Sequence, residues 1–493
     1  MAWVSSPPNQ LATTTNHSSD LKGHIVSIFK LKEYGTNVRT EVIAGLTMFA
    51  AMAYIIPVNA NILSMAGVPF GAVILATCIA AAVGTAIMAL WVNVPYGMAP
   101  GMGLNAFFTF TVVFALGFTW QQALAMVFLS GVVDLIVTAT GIRKYIVAAL
   151  PKPLRSAMGV GIGLFIAYIG VKGAGLLSFT LDPGTYTIEF DTVFGDSSAI
   201  PALAAINNLV LYLAIGAIAL TVALYALRIK GAILISIVVA TGVGACFGLV
   251  HMDWAGYVGT LGASFSELGS VFGQAITSMP SLFTDPSKIV IAIATIFAIS
   301  MTGLFDELGT SLGLGRSTGI FSEKEIDEVA ATKGFKTRFA RSLVPPSIAT
   351  MFGSLFGTSN TTTYIESSTG IAAGGKTGLS ALTTSGLFLA SIILAPLAMA
   401  VPGWATAPAL ILVGCLMIVP VKEVDWVDPE AAIPAFLTIA IMPLAYSITT
   451  GIAVGVIFYV LIKLVRFKFK EIHPVLGVIA LLFVAYFVNL AFV

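Results

Sequence analysis

The chain has 493 residues, of which 58% are apolar and only 10% charged, and its mean hydropathy is +0.98. In a soluble domain about a quarter of the residues are charged. This composition therefore excludes a soluble globular protein and indicates a membrane protein. The net charge is +1 and the sequence has no basic stripe. Nucleic acid is therefore excluded as a partner, because its phosphates are bound by clustered Lys and Arg.

The N-terminus differs from the rest of the chain in composition. Residues 1–20 are polar, are rich in Pro, Ser and Thr, and lack the apolar core of a signal peptide. We predict a disordered cytoplasmic tail there. Residues 21–35 alternate basic and apolar positions and are predicted to lie along the inner membrane surface.

Apolar runs long enough to cross about 30 Å of hydrocarbon follow one another along the whole chain. In the first half they are 43–64, 70–91, 97–117, 119–140, 154–176, 204–227 and 231–250. In the second half they are 288–313, 340–357, 360–373, 378–400, 405–421 and 430–465, with a last run at 474–492. The run 430–465 fits either one long helix or two short helices broken at 449–451.

The distribution of Lys and Arg decides between these two alternatives, because these residues accumulate in cytoplasmic loops. With a cytoplasmic N-terminus, the pair Arg143-Lys144 and the stretch 316–341 fall inside. Two crossings within 430–465 keep the basic segment 466–470 inside as well. The sequence thus predicts an all-α polytopic membrane protein with seven plus seven spans, which is an inverted repeat and a common transporter plan.

This count divides the chain into predicted segments. They are the tail 1–20, a first repeat 21–250, an extracytoplasmic loop 251–287, a second repeat 288–465, and a basic linker with a terminal hydrophobic segment, 466–493. Part of the loop 251–287 is expected to form a re-entrant or surface helix, and the charged stretch 322–342 a cytoplasmic helix.

The third and tenth spans are short and broken. Residues 93–110 (NVPYGMAPGMGLNAFFTF) carry helix-breaking Pro and Gly, and residues 356–375 open with hydroxyl residues and close in glycines. Interrupted spans at corresponding positions indicate a binding site at the repeat interface. We predict an extended piece in each span, running into a half-helix. The alternative is that these glycines serve close helix packing, as in Gly97-x-x-x-Gly101.

Two carboxylates lie in these apolar surroundings, Asp306 in ISMTGLFDELGTSLG and Glu366 in GTSNTTTYIESSTG. A charged side chain in the bilayer costs roughly 2.5–3.5 kcal/mol on insertion scales, so it is usually retained for a ligand or an ion. The alternative is structural, with Asp306 capping a helix and Glu366 paired with a buried base.

Four motifs resemble the azaguanine-type purine permeases, a branch of the nucleobase-cation symporters. They are VRTEVIAGLTMFAAMAYI (38–55), APGMGLNAFF (99–108), FDELGT (305–310) and YIESSTGIAAGGKTGL (364–379). The resemblance implies a core domain of spans 1–4 and 8–11 and a gate domain of spans 5–7 and 12–14.

The same resemblance implies that Asp306 and Glu366 hold a purine nucleobase that moves together with a proton. Backbone amides near Met102, Gly103 and Ile365 would supply further contacts. Relatives tend to carry a small Ser or Thr after the aspartate, where this chain has Glu307. This second acid leaves the substrate preference and the proton count open, and Glu307 joins Asp306 and Glu366 as a candidate for proton coupling.

Other polar and aromatic residues are weaker candidates. Thr310 lies one turn after Asp306, and Asn105 lies in the broken third span, so both are candidate substrate contacts. The stretch 360–363 is equally suited to bonding the open backbone of the tenth span. Aromatic residues offer stacking for a flat base, although packing is the commoner role; they are Tyr54, Phe107 and Phe108.

Residues 370–377 (GIAAGGKT) satisfy the Walker A pattern, but a P-loop needs a strand before it and a soluble α/β domain around it. The three cysteines lie singly in apolar runs and the four histidines are scattered, so neither a disulfide nor a metal site is predicted. No enzymatic constellation is present in the sequence.

The sequence therefore predicts a proton-coupled importer of adenine, guanine or hypoxanthine that works by alternating access. It is expected in a plasma membrane of the bacterial inner-membrane type, with the proton as the coupling ion and no other cofactor. The expected partners are the nucleobase and the lipid bilayer, and a homodimer is left open. The alternatives are a carrier of xanthine, uracil or another small polar solute with the same fold, and, from other classes, a channel or a membrane-embedded enzyme.

Overall fold

The computed structural model describes residues 27–140, 151–181, 186–189, 192–195, 199–251, 254–321, 325 and 337–491. Three predicted features lie outside the described residues, wholly or for the most part. They are the disordered tail 1–20, the pair Arg143-Lys144 and the cytoplasmic helix 322–342.

In the described part of the first half, the chain forms ten helices and five strands. The helices are α1 (Val38–Met52), α2 (Ile55–Met65), α3 (Phe70–Ile87), α4 (Met102–Ala106), α5 (Trp120–Thr140), α6 (Lys152–Gly173), α7 (Leu209–Ala226), α8 (Ala232–Cys246), α9 (Tyr257–Val271) and α10 (Gln274–Thr277). Two of them continue as π-helix, α3 over Met88–Val92 and α4 over Phe107–Ala115. The strands are β1 (Met98–Pro100), β2 (Leu177–Leu181), β3 (Tyr186–Glu189), β4 (Thr192–Gly195) and β5 (Ala199–Leu203).

The described residues of the second half form ten further helices and one strand. They are α11 (Pro286–Thr318), α12 (Arg338–Ser342), α13 (Pro345–Phe356), β6 (Thr361–Thr363), α14 (Ser367–Ala372), α15 (Gly378–Ala390), α16 (Ala395–Met399), α17 (Gly403–Leu416), α18 (Pro429–Leu444), α19 (Ile448–Val465) and α20 (Pro474–Ala491). Short 3₁₀ turns lie at Pro280–Phe283, Ser391–Leu394, Val419–Glu423 and Phe469–Glu471.

Within the described residues, eight helical segments are long and apolar enough to cross a membrane, and four shorter apolar helices accompany them. The ambiguous run 430–465 is split, as predicted, into α18 and α19. The break lies at 445–447, just before the predicted 449–451, because the Ser447 side chain accepts from the Thr450 amide and caps α19 there. Tyr446 adopts a positive φ of 51° at this turn.

Helix packing repeats itself between the two halves. The first span, α1, packs against the eleventh, α15, and the eighth span, α11, packs in the same way against the fourth, α5. The remaining helices show the same relation, since α6 packs against α18 as α17 packs against α7. Exchanging span n for span n+7 therefore reproduces these contacts, which confirms the predicted inverted repeat.

Within the described residues, the helices pack mainly, though not exclusively, within two groups of spans. One group contains α1, α3, α5, α11, α13 and α15 with the broken spans, and the other contains α6, α7, α8, α17, α18 and α19. At the start of α18, the buried Glu430 carboxylate accepts from Lys463, Arg466 and Lys468. This ion-pair cluster joins α18 to the end of α19 and to the basic linker that follows it.

Two loops contain regular structure. Between α6 and α7, β2 pairs with β5 and β3 with β4, all antiparallel, and these hairpins were not predicted. In the loop 251–287, the predicted helix is present as α9, which packs against α3.

Candidate functional site

The two broken spans meet in a short antiparallel ladder. Met98, Ala99 and Pro100 of β1 pair with Thr363, Thr362 and Thr361 of β6. The pairing continues at both ends, from the Gly101 amide to the Asn360 carbonyl at 2.9 Å and from the Tyr364 amide to the Gly97 carbonyl at 3.0 Å. The predicted extended pieces are therefore present, and they satisfy one another's backbone groups, as non-helical chain at membrane depth requires.

Two threonines in equivalent helices hold the outer edges of this ladder. The Thr85 hydroxyl in α3 accepts from the Met98 amide at 2.9 Å and donates to the Met98 carbonyl at 3.2 Å. The Thr350 hydroxyl in α13 accepts from the Thr361 amide at 3.0 Å and donates to the Thr361 carbonyl at 3.3 Å. Each strand is thus tied to the helix that precedes it in its own repeat.

Glu366 lies between β6 and α14 and is bound by a tyrosine from the first span. The Tyr54 hydroxyl donates to Oε1 of Glu366 at 2.6 Å. Tyr54 is 1% exposed, whereas Glu366 keeps part of its surface open. The alternative in which Glu366 pairs with a buried base is wrong within the described residues, whose ion pairs do not include it.

Asp306 lies within α11 and is also partly exposed. Its carboxylate lies beside the Thr362 hydroxyl and is close enough to Glu366 for their charges to interact. Because α11 runs from residue 286 to residue 318, Asp306 lies far from both ends of the helix. It therefore does not cap α11, the helix to which it belongs.

Glu307 differs from its neighbour in being 3% exposed. Its Oε1 accepts from the Ser311 hydroxyl at 2.7 Å and from the Thr363 hydroxyl at 2.9 Å. Its Oε2 accepts from the Thr363 amide at 2.9 Å. The carboxylate thus joins α11 to β6, and the expectation that it takes part in proton coupling stays a prediction.

The other residues predicted to contact the substrate differ in how far they are exposed. Ile365 is 52% exposed, while Met102 is 6% exposed and Asn105 is fully buried. Asn105 accepts from the Ser359 hydroxyl, and its amide nitrogen has no hydrogen-bond partner within the described part of the chain. Gly103 and Thr310 are partly exposed. Substrate contact by these five residues stays a prediction.

Sequence reasoning missed several polar residues beside the ladder. Tyr364 donates its hydroxyl to the Pro100 carbonyl, and Ser367 accepts from the Gly97 amide at 2.9 Å. Asp134 in α5 is a buried acid that accepts from Ser300 in α11. Its position in an apolar run satisfies the criterion that selected Asp306, so the sequence did contain a signal for it.

The Walker-like segment has a structural role. Glu41, fully buried in α1, accepts from the amides of Lys376 at 2.9 Å and of Thr377 and Ser380 at 3.3 Å each. A carboxylate of the chain therefore occupies the backbone donors at the start of α15 that a phosphate would use in a P-loop.

Paired broken spans that carry partly exposed carboxylates, within an inverted repeat of helices, define a multi-pass membrane transporter. The chain matches the model of the permease family, Xan_ur_permease, over residues 39–454. It belongs to that family, and it is accordingly a transporter rather than an enzyme.

Characterised relatives align along nearly the whole chain. The guanine/hypoxanthine permease PbuG of Bacillus subtilis is 37% identical over 473 residues, which cover 94% of this chain and 99% of that protein. The adenine permease AdeP of Escherichia coli is 37% identical over 473 residues, which cover 94% of this chain and 96% of that protein. The resemblance to purine permeases drawn from the four motifs is confirmed.

Solved structures share the fold at low identity. The transmembrane domain of a cyanobacterial bicarbonate transporter, BicA, superposes with a TM-score of 0.56 at 15% identity, covering 84% of this chain and 97% of that domain. The SLC26A9 structure gives a TM-score of 0.54 at 13% identity, covering 94% of this chain and 73% of that one. These likenesses concern the architecture alone and agree with the seven-plus-seven plan.

Proposed function

We propose that this protein imports purine nucleobases, adenine, guanine or hypoxanthine, together with protons. The observation that carries the proposal is the placement of Asp306 beside β6 and of Glu366 just after it, both partly exposed, with Tyr54 bound to Glu366. Relatives of similar length whose names specify guanine, hypoxanthine or adenine support the substrate class.

The chemistry of a purine suits such a site. A purine has two flat apolar faces and an edge of N–H donors and ring acceptors, so it needs apolar walls and a few polar groups. An ionised carboxylate accepts from an N–H group, and a protonated carboxyl group can also donate. Two carboxyl groups with a hydroxyl beside each, Thr362 beside Asp306 and Tyr54 beside Glu366, offer both kinds of partner.

Proton coupling in this proposal uses the same two acids. A carboxylate that takes up a proton on the outer side and releases it inside links the proton gradient to purine uptake. Alternating access is assigned to the two packing groups of helices, with spans 1–4 and 8–11 as the core domain that holds the site. Spans 5–7 and 12–14 form the gate domain that moves against it.

The contacts between these domains suggest where the gate closes. Phe110, in the third span, packs edge-on against Tyr446 and Phe165 at centroid distances of 5.1 and 6.2 Å. The Ile448 amide donates to the Thr111 hydroxyl at 3.3 Å. We assign this face to the outer side of a plasma membrane of the bacterial inner-membrane type, with a cytoplasmic N-terminus. A homodimer remains a proposal.

Uptake of radiolabelled adenine, guanine and hypoxanthine into cells that lack their own purine carriers tests this function. The expected result is saturable uptake by the wild type that a protonophore abolishes, and loss of uptake in Glu366→Gln and Asp306→Asn. Glu33→Gln is the matched control, because Glu33 is an exposed acid whose one ion pair among the described residues is with Lys30. Absence of uptake of all three bases by a wild type present in the membrane would reject the substrate class.

A further inference from the structure

We infer that Glu307 is a positioning residue that sets substrate affinity by holding β6 in place, and that it does not carry the transported proton. This inference rests on the proposed function, since it concerns the same site. It distinguishes two adjacent acids of α11, of which Asp306 is partly open to the site and Glu307 is buried behind the strand.

The hydrogen bonds of Glu307 are those of a structural acceptor. Both of its oxygens are used, Oε2 by the Thr363 amide and Oε1 by the hydroxyls of Thr363 and Ser311. A backbone N–H can only donate, so the oxygen facing it must remain an acceptor. One side chain thus anchors both the backbone and the side chain of Thr363 to α11.

By fixing Thr363, Glu307 also fixes the orientation of the neighbouring Thr362 side chain. Successive side chains of a strand point to opposite faces. Because Glu307 holds the Thr363 side chain on one face of β6, the Thr362 side chain points to the opposite face. Thr362 lies beside the Asp306 carboxylate. The Thr362 side chain also packs closely against Gly101, which follows β1. A Cβ added at Gly101 would lie only 3.0 Å from the Thr362 hydroxyl.

The same anchorage sets the position of Glu366. Only two residues, Tyr364 and Ile365, separate Glu366 from Thr363, and the Tyr364 amide is fixed to the Gly97 carbonyl at 3.0 Å. The strand is thus held from one side by β1 and from the other by Glu307. Loss of the Glu307 contacts is expected to loosen the spacing between Asp306 and Glu366, which lowers affinity for the base.

The test compares purified variants in proteoliposomes, with labelled purine and an internal pH dye to give KM, maximal rate and protons per purine. Glu307→Gln keeps the size of the side chain, but its amide nitrogen cannot accept a hydrogen bond. We expect KM to rise about tenfold, equivalent to about 1.4 kcal/mol, with a maximal rate within twofold of the wild type and unchanged protons per purine. Gly309→Ala is the control on the same helix, because a Cβ there meets nothing within 4 Å.

Thr363→Val removes only the hydroxyl contact and should raise KM less than Glu307→Gln does. In the double variant the two effects should not add, because both act on one contact. If Glu307→Gln fails to reach the membrane, Thr363→Val and Ser311→Ala decide, and an unchanged KM in both would overturn the inference.

A fall in protons per purine in Glu307→Gln, with KM unchanged, would also overturn it and make Glu307 a proton carrier. A wild type without purine uptake would instead reject the proposed function.

Discussion

The hydroxyl of Tyr54 donates to Oε1 of Glu366 at 2.6 Å, joining the first span to the tenth across 312 residues of sequence. Tyr54 is almost fully buried, so its ring packs in the core of the helix bundle while its hydroxyl reaches the edge of the site. This bond orients a carboxylate that would otherwise have several rotamers available.

Tyr54→Phe tests this orientation. The substitution keeps the ring and removes one hydrogen bond to a carboxylate, which is worth about 1.5–3 kcal/mol. We expect KM for purine to rise at least about tenfold at unchanged abundance in the membrane, measured by initial uptake rates. Tyr212→Phe is the control, because the exposed Tyr212 hydroxyl donates to a backbone carbonyl away from the site. Equal KM values in both variants and the wild type would count against the orienting role.

A second prediction concerns the stability of variants at the two threonines that hold the ladder. Thr85→Val and Thr350→Val leave the amides of Met98 and Thr361 without an acceptor, and a buried unsatisfied group costs about 1–3 kcal/mol. Each variant should unfold at a lower temperature in detergent than the wild type, measured on the purified protein. Thr47→Val is the control, since the Thr47 hydroxyl donates to the Ile43 carbonyl of its own helix.

Because the two threonines are equivalent by the repeat symmetry, their effects on the unfolding temperature should be of similar size. A large effect at one position and none at the other would contradict the account of the ladder as a symmetric unit.

Glu41 offers a third prediction, at the start of α15. Glu41→Gln replaces one of two acceptor oxygens that serve three backbone amides, so α15 should lose part of its N-terminal cap. We expect lower thermal stability in detergent. ATP should produce no shift of the unfolding temperature in the wild type. A shift on adding ATP would contradict the structural role assigned to this segment.

A fourth prediction concerns gating by the aromatic contacts between Phe110, Phe165 and Tyr446. Tyr446→Leu keeps an apolar side chain but removes the edge-on ring contacts that close this side of the site. We expect a labelling reagent applied from outside to modify a cysteine introduced at Ile365 faster in this variant, since Ile365 is exposed near the site. Unchanged labelling would mean that these rings do not close the outer path.

Much of the fold follows from the sequence for a simple physical reason. Hydrocarbon thickness fixes span length, and Lys and Arg report loop orientation, so nearly all spans and the division of 430–465 were predictable. The pairing of β1 with β6 was foreseeable because broken backbone needs partners. The β2–β5 hairpins were not, since they lie outside the apolar runs on which the span prediction depends.

The site was only partly predictable. Asp306 and Glu366 are conspicuous as acids in apolar runs, whereas the roles of their neighbours depend on packing. Glu307 lies next to Asp306 in sequence, yet the 100° turn of a helix per residue directs it to Thr363 instead of the open side. The pairing of Tyr54 with Glu366 is a long-range contact for which a single sequence contains no signal.

The most direct test of the central claim is purine binding to the purified protein in detergent, measured by calorimetry for the wild type, Asp306→Asn, Glu366→Gln and Glu33→Gln. We expect saturable binding of at least one of adenine, guanine and hypoxanthine to the wild type and to Glu33→Gln. Both site variants should lose it, while their unfolding temperatures stay near that of the wild type. Wild-type affinity in a folded Asp306→Asn or Glu366→Gln protein would contradict the assignment of these carboxylates to the substrate.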